Sequence, residues 1–385
     1  MATSKYSSEY RNELFSNILN GKKTDRVPEK MAATTTATYE YAGFDLRYCQ
    51  YGTTKYAEAI DKINADFDTD TMLGTFPPTP WLFRLINSER MTMVSDGFLQ
   101  HPDIHSMEVD EYDELIENPV KFMWDKALPR LNKVLAEPYP NNVLAVVKAI
   151  KTTDHVNAQI GAATRKTSAK YNKVTMPMTK ADGGRIPADF LADVLRSFKG
   201  MLIDMKRKPD KVLEALDALT EIFVGNIKKI DVPDRTLRGN TMTHMPTFMK
   251  PAEFGKFYWP GFSGVQKARY DAGYSSYIFC EDNWMPFLDY LQDLPRCELH
   301  FEFGDPKIIK EKLGDKHLIS GLFTATNLKT MSAEEACDSA KELLDIMAPG
   351  GNYIFSFDKS ILRAREIDWN VFREVNECVH EYGKY

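Results

Sequence analysis

From residue 239 to 357 short β-like runs alternate with helix-like runs, and this alternation constrains the fold more than any other feature of the chain. Extended runs over 239–243, 275–279, 299–303, 317–322 and 352–357 are separated by helical patterns over 251–272, after Trp284, over 306–313 and over 332–347. Strands spaced by one helix each pair in parallel, because a parallel neighbour is reached only through a crossover long enough to hold a helix. The helix over 332–347 carries its own start signal, Ser332 followed by Glu335 as a capping box, and a buried stripe of Cys337, Ala340, Leu344 and Met347. No repeat of fixed length with residue identity is present, which argues against a solenoid.

The N-terminal half has a different texture. An opening helix over 10–19 puts Leu14, Phe15, Ile18 and Leu19 on one stripe and ends at a breaker run over 21–28. Residues 1–75 read as an N-terminal helical extension. The prolines at 77, 78 and 80 predict a fixed loop that brings Phe76 and Trp81 to a pocket wall. Segment 148–185 turns polar, rich in Thr, Lys and Ala, and reads as an excursion that either covers the site or forms a surface arm. Helical patterns return over 189–206 and 209–229. The second opens on Pro209, with Val212, Ala215, Leu216, Leu219 and Phe223 at helical spacing.

Composition removes several classes of function. The 385 residues are 43% hydrophobic and 27% charged, too apolar for a disordered chain and, without a run near ~20 apolar residues, too mixed for a membrane protein. Lys plus Arg number 49 against 55 Asp plus Glu, and this net −6 offers no general attraction to nucleic acid or anionic lipid. The first residues lack the basic and apolar regions of a signal peptide, so a cytoplasmic protein with one domain over 1–385 is expected. Five cysteines without C-x-x-C or H-x-C predict reduced thiols.

A parallel α/β array of this size either closes into a barrel or opens as a doubly wound sheet, and both place chemistry beyond the carboxyl ends of the strands. No G-x-G-x-x-G follows an early strand and no P-loop is present, so the expected fold is a (β/α)8 TIM barrel with N-terminal helical additions. The strand-end residues to weigh are then 243–245, 280–283, Glu302 with Asp305, 324–327, and Asp358 with Lys359.

At this point the chain resembles the uroporphyrinogen decarboxylase-like superfamily, and within it the corrinoid-dependent methyltransferase branch. The resemblance rests on ordered segments over 20–28, 190–200, 209–215, 244–260, 278–284 and 350–355, which include His244-Met-Pro-Thr-Phe-Met-Lys-Pro and Ile278-Phe-Cys-Glu-Asp-Asn-Trp284. It implies a first methyltransferase of an anaerobic O-demethylase system, which moves methyl from an aryl methyl ether to a cobalamin on a separate corrinoid-binding protein. A homodimer is a further expectation of the family. Two departures stand out. Where thiol-methylating relatives carry H-x-C and a later cysteine, the corresponding positions here are Phe279, Glu281 and Lys359, which argues against coenzyme M as acceptor. The arginine-rich N-terminal motif of porphyrinogen decarboxylases is absent from residues 30–36. A lyase or a thiol alkyl transferase is the second reading, and a barrel that binds without catalysing is the third; fold alone does not choose among them.

Moving methyl from an ether oxygen to Co(I) leaves a phenolate, a poor leaving group unless its oxygen is protonated or held by a Lewis acid. Glu281 is the first choice for the acid, since burial beside Phe279 and Trp284 would favour its neutral form. The alternative for Glu281 is a helix-capping carboxylate. His244 and Glu302 complete the expected catalytic group. Glu281, Glu302, His244 and Asp305 also form a conceivable zinc ligand set, although ordinary hydrogen-bonded structure is the commoner role of such residues. Trp81, Phe76, Trp284, Tyr353 and Phe357 are candidate walls for an aromatic ring, with Asn283 beside them, and any of these aromatics would serve equally as core. Lys359 is a candidate anchor for a substrate carboxylate, or half of an ion pair with Asp358. Cys280, without a cationic neighbour, reads as inert.

Overall fold

The computed structural model describes residues 4–75, 79–179, 182 and 184–384, so Phe76, Pro77 and Pro78 lie outside the described residues. Five parallel strands, β1 (Arg238–Met242), β2 (Ser275–Asn283), β3 (Glu298–Phe303), β4 (Leu318–Phe323) and β5 (Tyr353–Phe357), stand side by side in chain order. Each crossover carries helix, as the alternation requires, and the bounds fall within a few residues of those expected. Helix Pro306–Leu313 coincides with its predicted span, and Ala333–Met347 is capped by Ser332 and Glu335 in the reciprocal box. The helix over Pro251–Asp271 contains a π-turn at Phe254–Tyr258, which no residue pattern signalled.

Burial alternates along β2, whereas β5 is buried throughout. On β2, Ile278 and Cys280 are closed while Tyr277, Phe279 and Glu281 remain partly open. A pleated strand turns successive side chains to opposite faces. Ile278, Cys280, Leu299, Phe301 and Ile319 accordingly join the main core with Phe262, Ile309, Ala340 and Leu344 of the covering helices. The other face, with Asn240, Tyr277, Phe279, His300 and Ser320, turns to a central space. Register fixes its rows: Asn240 lies opposite Tyr277, Phe279 opposite His300, and His300 opposite Ser320.

Among the described residues the parallel sheet has five strands, where the expected (β/α)8 barrel needs eight, and it does not close on itself. Both edges are continued by isolated parallel bridges: Glu29 with Phe355 beyond β5, Met178 with Arg238 beyond β1, and Thr71 with Val174 between the outer segments. The N–H of Gly74 bonds the carbonyl of Ala33 at 3.1 Å. These segments carry Pro28, Pro177 and Gly74, which interrupt the ladders that regular strands require.

Residues 148–170, expected as a cover or a surface arm, belong to a 30-residue helix, Asn141–Lys170, packed beside Thr54–Asp66. Its polar composition reflects exposure, since Thr167 is its one buried residue. Pro80 does not exclude helix around it; it occupies the first turn of Pro80–Leu85, where a missing N–H costs nothing.

Candidate active site

β1 ends at Met242, and the chain turns through His244 into the 3-10 turn Met245–Phe248. That corner is clamped by the buried carboxylate of Asp189, on the short helix Pro187–Phe190. Asp189 Oδ1 accepts the N–H of His244 at 3.0 Å and of Met245 at 2.8 Å, and Oδ2 accepts the hydroxyl of Tyr258 at 2.7 Å. Burial pushes the Asp189 carboxyl up to about 6 against the pull of these three donors. Thr243 ties β1 to β2 by donating to the Phe279 carbonyl at 2.6 Å.

This geometry brings His244 and Glu281 together. His244 Nδ1 lies 3.3 Å from Glu281 Oε2, while Nε2 faces Asp193 at 4.0 Å. Burial raises the pKa of Glu281; His244 opposes the rise, and the negative charges of Glu302 and Asp189 add to it. Burial also raises Asp193. An imidazole between two carboxyls biased toward their neutral forms can hold or pass a proton. Glu302 stands on β3 at the same rim, accepting the N–H of Asp282 and the ammonium of Lys359, each at 2.9 Å. Lys359 is therefore taken up by Glu302, not by its neighbour Asp358, whose Oδ1 accepts the N–H groups of Ala325 and Lys359.

The four-residue zinc set does not assemble. Asp305 caps helix Pro306–Leu313, accepting the N–H groups of Lys307 at 2.8 Å and Ile308 at 3.4 Å, so it is a helix cap. Glu302 is engaged by a cation and an N–H. Among the described residues the ligand atoms of His, Cys, Asp and Glu converge in threes only at Glu29, Asp70 and His380, where Arg11 and Arg26 already occupy Asp70. The residues at the rim thus do not fit a resident four-ligand zinc ion.

The aromatic walls are also rearranged. Trp284 is buried among Phe254, Phe262 and Phe287, Tyr353 donates its hydroxyl to the Gly321 carbonyl at 3.1 Å, and Phe357 packs on Phe323 and Phe372. All three are core, because Trp284 follows a strand end that bends under the helices and the aromatics of β5 are enclosed on both faces. Trp81 lines a separate hollow of about 20 Å³ with Tyr39 and Tyr56. Asn283 turns its Oδ1 to the N–H of Met285 at 3.0 Å and holds the turn. Cys280 is buried on the helix side, its thiol pushed well above the usual range by burial.

The space left is a cavity of about 570 Å³ on the inner face of the sheet, lined by Lys30, Met72, Met178, Arg238, Asn240 and Tyr277 among others. A second hollow of about 440 Å³ shares Asn240 with it and reaches His244, Asp189 and Asp193. Sequence reasoning missed these lining residues because it looked only at strand ends. The usable signal was the period-two series Arg238, Asn240, Met242; Tyr277, Phe279, Glu281; and Glu298, His300, Glu302, in which polar or functional side chains recur on one face.

No protein-family model matches the chain, and no curated protein matches its sequence. A methyltransferase from Methanosarcina mazei has a similar structure, with a TM-score of 0.60 and 15% identity over 98% of this chain and 99% of that one. At that identity the likeness is one of fold.

Proposed function

We propose that this protein transfers a methyl group from a methoxylated aromatic to the Co(I) corrinoid of a separate corrinoid-binding protein. The single observation that carries the reading is the His244–Glu281 pair, 3.3 Å apart at the ends of adjacent parallel strands, with His244 lining a hollow of about 440 Å³. In support, the fold is shared end to end with a methyltransferase. The reading takes the five strands as the regular part of an eight-stranded barrel, completed by the bridged segments around Glu29, Thr71 and Val174 to Met178.

The corrinoid is the acceptor substrate and supplies the electron pair that attacks the methyl carbon. As that bond forms, the methyl–oxygen bond breaks and its electrons pass to the phenolic oxygen. Glu281, whose neutral form burial favours, donates its proton to that oxygen, so phenol leaves in place of phenolate. His244, on the other side of Glu281, returns a proton from Asp193 or solvent. Asp189 holds the His244 backbone through two N–H bonds and so fixes the imidazole. The corrinoid protein covers the rim of strand-end loops and excludes water during transfer.

The test follows Co(I) converting to methyl-Co(III) by absorbance, with a corrinoid protein and a panel of methoxy-aromatics, with and without chelator. Glu281→Gln is expected to abolish transfer while leaving the unfolding free energy within about 1 kcal/mol of wild type, since its half-exposed carboxyl pairs with the His244 side chain and not with backbone. Wild-type turnover in that variant removes Glu281 from the reaction.

A further inference from the structure

The starts of β1 to β4 meet at a separate hollow of about 90 Å³, at the end of the sheet away from His244 and Glu281. Three guanidiniums line it, those of Arg235, Arg238 and Arg296, against one carboxylate, Glu298. That carboxylate is already engaged twice: Oε1 bonds Lys30 Nζ at 2.5 Å, and Oε2 bonds the Arg238 guanidinium. Arg235 and Arg296 have no carboxylate partner among the described residues, and neutral dipoles meet them instead. Arg235 Nη1 donates to the carbonyls of Tyr270 at 2.6 Å and Tyr274 at 3.0 Å, and its guanidinium lies 3.7 Å from the centre of the Tyr270 ring. Arg296 donates to the carbonyls of Lys316 at 2.8 Å and Ile18 at 3.3 Å, and to Asn352 Oδ1 at 2.9 Å. Burial pushes the Arg296 guanidinium below its ordinary pKa. The Arg238 side chain is only 3% exposed, and its Nε has no partner.

Three positive charges against one negative leave +2 around the hollow, and Lys30 draws on the same negative charge from the other side. Positive charge held out of water with an unspent donor is costly unless an anion meets it. A volume of about 90 Å³ is that of about three waters in the liquid, which suits one tetrahedral oxyanion and is too small for a nucleoside. The planar fork of a guanidinium matches the oxygens of phosphate two at a time. We propose that this hollow binds a phosphate dianion, either the free ion or the terminal group of an ester. Its oxygens take the unspent donors of Arg235 and Arg238, and its charge offsets that of Arg296. Through Arg296 and the Ile18 carbonyl, the anion also ties helix Ser8–Leu19 to the starts of β1 and β3. The site sits at the opposite end of the strands from the residues assigned to methyl transfer and does not depend on that reading.

The experiment uses the full chain and measures binding of inorganic phosphate and of phenyl phosphate by calorimetry and thermal shift, at about pH 8, where both probes are dianions, with chloride at matched ionic strength as the control. Each phosphate probe is expected to raise the melting temperature progressively with concentration, while chloride leaves it unchanged. Arg235→Gln is expected to weaken phosphate binding about tenfold or more, the scale of one charge-assisted hydrogen bond. A second readout needs no variant: inorganic phosphate is expected to protect Arg235 from phenylglyoxal, read by peptide mass spectrometry. Tighter binding of phenyl phosphate than of the free ion places the terminal group of an ester in the hollow, and the reverse order places the free ion there; either order supports the site. Equal response to phosphate and chloride, wild-type phosphate affinity in Arg235→Gln, or unchanged labelling of Arg235 overturns it.

Discussion

Asp189 offers the sharpest test of how the site is held. It is buried, it accepts three hydrogen bonds, and two of the donors are the backbone N–H groups that set the His244 corner. Asp189→Ala strands all three donors at about 1–3 kcal/mol for each group left unpaired, partly offset by relaxation, so a loss of about 3–5 kcal/mol is expected. Asp189→Asn keeps an oxygen for both backbone donors and offers Tyr258 an N–H to accept, so its cost at neutral pH is expected near 1 kcal/mol. The pH dependence separates charge from shape. A carboxyl that ionises at about 6 in the fold, above the ordinary range of a free aspartate, has a raised folded pKa. Its contribution to stability is then complete below about pH 4 and is lost as pH rises through about 6, by up to about 3 kcal/mol. Urea titrations of wild type and Asp189→Asn across that interval are expected to converge towards high pH, because the amide does not ionise. Parallel stabilities across the interval, or a loss under about 1 kcal/mol for Asp189→Ala, would refute the clamp. Methyl transfer read alongside is expected to fall in kcat more than in KM for Asp189→Ala, since the residue positions His244 and does not touch substrate.

The remaining expectations are simpler. If Glu281 is the acid, transfer falls as pH rises through its raised pKa, whereas a rate that increases over that range would exclude proton donation by this group. Asp305→Ala is expected to cost about 1 kcal/mol as a lost cap and to leave transfer unchanged; loss of transfer in folded protein would return Asp305 to the site. Gly321→Ala is expected to prevent stable folding or cost more than about 3 kcal/mol, because φ is +92° and a Cβ would stand 2.2 Å from the Phe301 carbonyl oxygen. A melting temperature near wild type in that variant would mean the β3–β4 approach is looser than described.

Much of the C-terminal fold was legible in local pattern. The span of helix Pro306–Leu313, the capping box at Ser332 and Glu335, and parallel pairing of the strands follow from caps, periodicity and crossover length, which are properties of neighbouring residues. The pairing of His244 with Glu281 was foreshadowed by their places after consecutive strands. The roles of Trp284, Tyr353 and Phe357 were not, since an aromatic at a strand end looks the same whether it turns to a cavity or under a helix. Asp305 could not be told from a ligand until the helix it caps was in place.

The amino-acid sequence by itself determined the order of strands and helices and the chemistry available at their ends. Only the tertiary structure decided which carboxylates share an environment: Glu281 beside His244, Glu302 against Lys359, and Glu298 between Lys30 and Arg238. The reason is physical. Periodicity acts over a few residues, whereas the distance and burial that set a charge's energy arise between residues such as Lys30 and Glu298, 268 positions apart in the chain.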